Sequence, residues 1–104
     1  MEKIISLLNN ISLECHGNIS YYQDNRSVAF KYSTKYICGR IDGSVWINKL
    51  IDRYLKYELI ILLDFIGNIN TQKSSLVSIN NDDYNQGLYD QLEEMEIRIY
   101  DRIS

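Results

Sequence analysis

The thiol and imidazole groups that could bind zinc, or act as a nucleophile and its base, are two cysteines and one histidine in this 104-residue chain. Cys15 and His16 are adjacent, which is poor spacing for two ligands at one helix end, whereas tetrahedral zinc sites use ligands in close pairs. A Cys38–His16 pair could supply a nucleophile and its base. Both cysteines, however, fall at positions where we expect small buried core residues. We therefore predict no metal site, no cofactor and no catalytic residue.

Motifs that bind phosphate are also lacking, since the sequence has neither a G-x-G-x-x-G motif nor a P-loop. Adjacent acids occur as Asp82-Asp83 and as Glu93-Glu94, but neighbouring residues on a helix point in different directions. Helix capping accounts for the first pair and solvent exposure for the second. The sequence does not predict an enzyme.

Charge divides the chain into a basic middle and an acidic end. Between residues 26 and 56 seven bases oppose two acids, so the net charge is +5. Between residues 82 and 102 seven acids oppose two bases, so the net charge is −5. Charged faces of this kind steer association with oppositely charged partners. An acidic C-terminal helix would therefore suit a basic surface on another protein.

The sequence is unusually rich in tyrosine, with nine residues. Tyrosine is enriched at the energetically important positions of protein interfaces, because its ring is ordered at low entropic cost. The leading hypothesis is a small protein-interaction module that blocks a partner with a basic surface through an acidic, tyrosine-bearing face. The predicted binding residues are Tyr84, Tyr89, Asp90, Glu93 and Glu94.

The composition narrows that hypothesis further. Isoleucine, asparagine and tyrosine are abundant, alanine occurs once, and proline is absent. The favoured residues have A/T-rich codons, which indicates an AT-rich genome. Within the interaction-module hypothesis, we predict an inhibitor, an immunity protein or an anti-defence protein of a phage or another mobile element.

Two alternatives stay open. Nucleic-acid binding would use the basic middle segment, where positive charge could follow phosphates and exposed rings could stack on bases. A pI near 5.0 argues against it. The predicted nucleic-acid-binding residues are Tyr21, Lys31, Tyr32, Lys35 and Arg40. The other alternative is a small enzyme or ligand-binding domain, which a pocket with converging polar groups would indicate.

The N-terminal segment MEKIISLLNN lacks the charge pattern and the small-residue cleavage site of a secretory signal. The longest apolar run, residues 59–63, is far shorter than the roughly 20 residues that span a bilayer. We expect a cytoplasmic protein with no membrane partner, and free thiols at both cysteines.

The first half of the chain is predicted to contain one helix and a β-region. Residues 2–15 have the apolar spacing of an amphipathic helix, with Gly17 as its C-cap. Asp42-Gly43 is a strong hairpin-turn signal between two short strands. The predicted strands are 19–23, 28–32, 36–41 and 44–47.

The second half is predicted to be mainly helical. Asn48 is a suitable N-cap for a helix that we extend to residue 66, with Gly67 as its C-cap, although 58–66 could instead be a buried strand. A polar loop at 68–75 and a short strand at 76–79 should follow.

A last helix is predicted over 82–94, with acids in its first turn and an apolar stripe along one face. Residues 95–103 could be helix or strand, and the stripe could serve a homodimer as well as a core. The stripe residues are Tyr84, Leu88, Leu92, Met95 and Ile99. The predicted fold is one α+β domain over residues 1–104, with a three- or four-stranded antiparallel sheet and helices packed on one face.

Overall fold

The computed structural model describes residues 2–24, 30–56, 62–77 and 82–103. All but three of these residues (Tyr32, Ser33 and Asp82) are helical, and none lies in a strand. The four long helices are α1 (Glu2–Asp24), α2 (Thr34–Lys56), α3 (Leu62–Val77) and α4 (Asp83–Ile103). The prediction of an α+β fold with an antiparallel sheet is therefore wrong, and the described part of the chain is a helical bundle.

Helix α4 begins where the sequence predicts. The backbone N–H of Asn85 donates to Oδ1 of Asp82 at 2.8 Å, which is the hydrogen bond of an N-cap. The predicted apolar stripe faces the core, where Leu92, Met95 and Ile99 are buried. Because the stripe continues at helical spacing, the ambiguous segment 95–103 is helix as far as Ile103.

Helix α2 replaces most of the predicted β-region. It contains the predicted strands 36–41 and 44–47, and the predicted hairpin turn at Asp42-Gly43 lies in its interior. Its N-cap is Ser33, whose Oγ accepts a hydrogen bond from the N–H of Tyr36 at 3.2 Å, rather than Asn48. The predicted helix from 48 is correct as far as Lys56, where the described part of α2 ends.

Helix α1 is longer than predicted. It passes Gly17, the predicted C-cap, and includes the predicted strand 19–23 before it ends at Asp24. Nothing lies within 4 Å of the position where a Cβ of Gly17 would stand. This glycine therefore has no packing role, and its effect on stability is the low helix propensity of glycine. The predicted strand 28–32 lies partly outside the described residues, and Phe30 and Lys31 are helical.

Helix α3 confirms the helical interpretation of residues 62–66, whereas 57–61 lie outside the described residues. It continues through Gly67 and through the predicted loop 68–75. Its buried residues are spaced for one helix face, and its polar side chains bond to its own backbone, as Thr71 does to the Gly67 carbonyl. The predicted strand 76–79 is helical at 76 and 77, and its remainder is not described.

Packing between α2 and α4 is the most extensive in the bundle. The α2 backbone at Gly39 approaches that at Gly87, and Gly43 approaches Gln91, so these two helices run in the same direction. Helix α1 packs mainly on α2, and α3 mainly on α4. The buried apolar core includes Leu8, Ile11, Cys15, Ile47, Ile51, Tyr54, Phe65, Ile69, Leu92, Met95 and Ile99. None of the described helices combines the length and the apolar character needed to cross a membrane.

Candidate protein-binding site

An open cleft of about 510 Å³ runs along the outer face of α4, and we call it the acidic cleft. Positions one turn apart on a helix share a face, so the acids of α4 collect on this side. Ile97 also lies here and is 54% exposed. The lining residues are Arg40, Asp90, Glu93, Glu94, Ile97, Arg98 and Asp101.

Arg40 of α2 forms the inner wall of the acidic cleft. Its Nη2 donates to Oε2 of Glu94 at 2.5 Å, and its guanidinium lies 5.0 Å from the centre of the Tyr22 ring. The Arg40 side chain is only 10% exposed, whereas that of Glu94 is 33% exposed. A guanidinium that is both paired and stacked is held in one orientation. Arg40 therefore ties α1 and α2 to the acidic face of α4.

Asp90 is held by two side-chain donors. The hydroxyl of Tyr36 donates to Oδ2 of Asp90 at 2.7 Å, and the amide of Gln86 donates to Oδ1 at 2.7 Å. Burial and the hydrogen bond to this carboxylate raise the pKa of Tyr36 to about 12. Tyr36 therefore remains a neutral donor at neutral pH.

Glu93 differs from its neighbours, because no hydrogen bond or ion pair within the described part of the chain holds its carboxylate. Glu94, by contrast, also lies 3.4 Å from the guanidinium of Arg98. The cleft therefore contains fixed acids at its wall and a less constrained acid at Glu93.

Four tyrosines, Tyr21, Tyr22, Tyr32 and Tyr36, form a tyrosine cluster where α1 ends and α2 begins. The rings of Tyr32 and Tyr36 are stacked with centres 4.7 Å apart, and those of Tyr21 and Tyr22 meet edge to face at 5.1 Å. Tyr22 and Tyr32 join these pairs at 6.5 Å. Because Tyr36 also bonds Asp90, the tyrosine cluster is continuous with the acidic cleft.

The structure divides the five predicted protein-binding residues between surfaces. Asp90, Glu93 and Glu94 line the acidic cleft together. Tyr84 lies in a different cleft, where its hydroxyl donates to Oδ2 of Asp42 at 2.5 Å. Tyr89 packs against the core, and the ammonium of Lys73 lies 5.2 Å from its ring centre. The tyrosines beside the acids are thus those of the tyrosine cluster.

Sequence reasoning missed Tyr22 and Tyr36 as members of this site, and it missed Ile97. Residues 36 and 90 are separated by 54 positions, so no local pattern could pair them. Ile97 could have been found, because an isoleucine among Glu93, Glu94 and Asp101 at helical spacing must face outward if the predicted stripe faces inward.

The predicted nucleic-acid residues are also separated. Tyr21, Lys31, Tyr32 and Lys35 are exposed near the junction of α1 and α2. Arg40 is buried and paired with Glu94, so it is not available to a phosphate.

The cysteines bear on metal binding and on redox state. Both are free thiols, and Cys15 is buried as predicted, whereas Cys38 is exposed and not a core residue. Within the described ranges, no group of three or more metal-ligating side chains comes together.

No protein-family model matches the chain, and comparisons with curated proteins and with solved structures likewise find no match. Nothing therefore supports the narrower hypothesis of a phage, inhibitor, immunity or anti-defence protein, and we withdraw it.

Proposed function

We propose that this protein is a protein-interaction module that binds a basic partner through the acidic cleft. The observation that carries the proposal is the convergence of four carboxylates on one open face, against two guanidinium groups. A formal excess of two negative charges attracts lysine and arginine side chains and speeds encounter with them. We also propose that the protein is cytoplasmic, and the free thiols of both cysteines support this location.

Two neighbouring features suit a protein partner rather than a simple counter-ion. Ile97 presents an exposed apolar side chain in the middle of the acids, so an aliphatic or aromatic group of the partner could be buried against it. The tyrosine cluster borders the cleft, with Tyr21 and Tyr32 half-exposed. Tyrosine is enriched among the residues that contribute most of the binding energy at protein interfaces.

The test is a selection from a random peptide-display library with the whole protein as bait. We expect enriched peptides to combine lysine or arginine with an apolar residue. Their affinity for the Glu93→Lys variant should fall about fivefold or more, which is about 1 kcal/mol, and should fall with added salt. Ile97→Ser should also lower the affinity for the enriched peptides.

Asp52→Lys is the matched control, because Asp52 is an exposed acid on α2 that does not line the acidic cleft. It changes the net charge by the same amount as Glu93→Lys. Peptides without basic residues, or equal losses in the two charge variants, would contradict the proposed site.

Nucleic-acid binding is the second candidate, favoured by the exposure of Tyr21, Lys31, Tyr32 and Lys35 near one another in the chain. It predicts a mobility shift with a single-stranded oligonucleotide at low salt that Lys31→Gln with Lys35→Gln abolishes. We rank it below protein binding because Arg40 is paired and because the adjoining cleft is acidic.

A further inference from the structure

A second cleft, of about 350 Å³, lies on the opposite side of α4 from the acidic cleft. Its walls come from three helices, since Trp46 belongs to α2, Gln72 to α3 and Leu88 to α4. The α2–α4 crossing helps to form it, because Gly43 lines the cleft without contributing a side chain. Its volume is within the range of small-molecule sites.

The cleft combines an apolar wall with a few polar groups. Trp46, Leu88 and Leu92 provide the wall, and Leu92 is buried while Trp46 and Leu88 pack against the core. At one end, Asp42 already accepts a hydrogen bond from the Tyr84 hydroxyl. A predominantly apolar pocket with a few placed polar groups is the usual form of a ligand site.

The cleft also contains a lysine, Lys49. It is exposed, it lines the cleft, and no ion pair joins it to any part of the chain that the structure describes. Asp42 lies seven residues earlier on α2, which is about 10 Å along a helix axis, so the cleft has an acidic end and a basic end. Among the described residues, only the charge at the basic end of the cleft has no partner.

We propose that this cleft binds a small amphipathic carboxylic acid. Its aromatic or aliphatic body lies against Trp46, Leu88 and Leu92, and its carboxylate pairs with the ammonium of Lys49. Burial of the body supplies the affinity, and the ion pair, at the open end of the cleft, supplies selectivity for an anion.

The experiment uses a reporter that the chain already contains, because Trp46 is the only tryptophan in the sequence. The whole protein is titrated with 4-phenylbutyrate while Trp46 fluorescence is recorded. The matched probe is 4-phenylbutyramide, which has the same body without the charge. We expect a saturable change with the acid, and binding of the amide weakened about fivefold or more.

Two variants locate the site. Lys49→Gln should lower the affinity for 4-phenylbutyrate about fivefold and leave the affinity for the amide unchanged. Lys35→Gln, which changes an exposed lysine of the same helix, should change neither affinity. Val45→Phe should lower the affinity for both probes because the larger side chain fills the cleft. Val45 lines the cleft and is exposed enough to accept that side chain. A titration without saturation, or an unchanged affinity in Lys49→Gln, would overturn the proposal.

Discussion

Gly39 of α2 and Gly87 of α4 bring the backbones of their helices into direct contact. A Cβ added to Gly39 would stand 2.1 Å from the carbonyl oxygen of Tyr84, and a Cβ added to Gly87 would stand 2.2 Å from the carbonyl oxygen of Tyr36. Backbone atoms cannot turn away as the end of a flexible side chain can. The close packing of α2 on α4, the most extensive in the bundle, therefore requires that neither position has a side chain.

Alanine at either glycine should be strongly destabilising. We expect Gly39→Ala and Gly87→Ala each to lower the free energy of unfolding by about 3 kcal/mol, the upper part of the range for overpacked interiors. The loss would occur even though alanine favours an isolated helix by about 1 kcal/mol over glycine. Urea unfolding followed by circular dichroism measures the difference.

Gly67 is the control for this prediction. It lies in α3, it is exposed, and nothing stands within 4 Å of its Cβ position. Gly67→Ala should raise the unfolding free energy by up to about 1 kcal/mol. Equal effects of Gly39→Ala and Gly67→Ala would show that the backbones do not meet as described.

The Arg40–Glu94 pair should contribute more to stability than the Arg102–Glu14 pair. Glu94→Gln removes the negative charge that pairs with the guanidinium of Arg40, whose side chain is 10% exposed, and keeps only an amide oxygen as a neutral acceptor. We expect a loss of about 2 kcal/mol, less than for a fully buried pair because Glu94 is partly solvated. Chemical denaturation at neutral pH measures it.

The comparison for that variant is Arg102→Gln. Arg102 pairs with Glu14 across α4 and α1, but both side chains are more exposed than Arg40. Exposed pairs contribute little, so we expect a change below about 0.5 kcal/mol. If the two variants lose the same stability, burial does not set the strength of the Arg40 pair.

Stability should fall in alkaline solution because folded tyrosines hold their protons. The hydrogen bond to Asp42 and burial raise the pKa of Tyr84 to about 12, and burial and a bond to Asp64 raise the pKa of Tyr54 to about 12. The unfolded chain loses these protons near pH 10, so between about pH 10 and pH 12 it binds fewer protons than the folded chain. The stabilisation is complete below about pH 10 and is lost as pH rises through 12.

Asp42→Asn tests the cause of this pH dependence. Without the carboxylate, the pKa of Tyr84 should drop towards its ordinary value of about 10. The unfolding free energy of the variant should therefore fall less steeply above about pH 10 than that of the unchanged protein. An identical slope would mean that the Tyr84–Asp42 bond does not hold the proton.

The two thiols should react at very different rates. Cys38 is exposed, whereas Cys15 is fully buried, and burial and the nearby Glu14 raise the pKa of Cys15 to about 12. Because the thiolate is the reactive form, a disulfide reagent should modify one thiol per folded chain quickly and the second only on unfolding. Cys38→Ser should remove the fast phase, and fast modification of both thiols would refute the burial of Cys15.

How far local pattern predicts this fold is clearest at α4. Asp82 is an N-cap, and Leu88, Leu92, Met95 and Ile99 recur at helical spacing, so both the start and the inward face followed from the sequence. The cluster of Asp90, Glu93 and Glu94 on the outer face followed from the same periodicity. Its tyrosine neighbours did not, because they come from α1 and α2.

Helix α2 shows why local pattern was insufficient elsewhere. Gly39, Asp42 and Gly43 are typical of strands and turns when they are considered alone. In the structure, Gly39 and Gly43 are helix positions where α4 approaches closely. The predicted strands 36–41 and 44–47 and the turn between them are therefore continuous helix.

The sequence by itself determined the inward stripe and the acidic outer face of α4, the N-terminal amphipathic helix and the excess of acid at the C-terminal end, because each depends on the types and spacing of nearby residues. Only the tertiary structure decided that glycines serve as contact points, that Arg40 is withdrawn from solvent onto Glu94 and Tyr22, and that Tyr84 lies beside Asp42. These contacts join residues that are far apart in the chain, so they form and stabilise the protein only when the helices pack together.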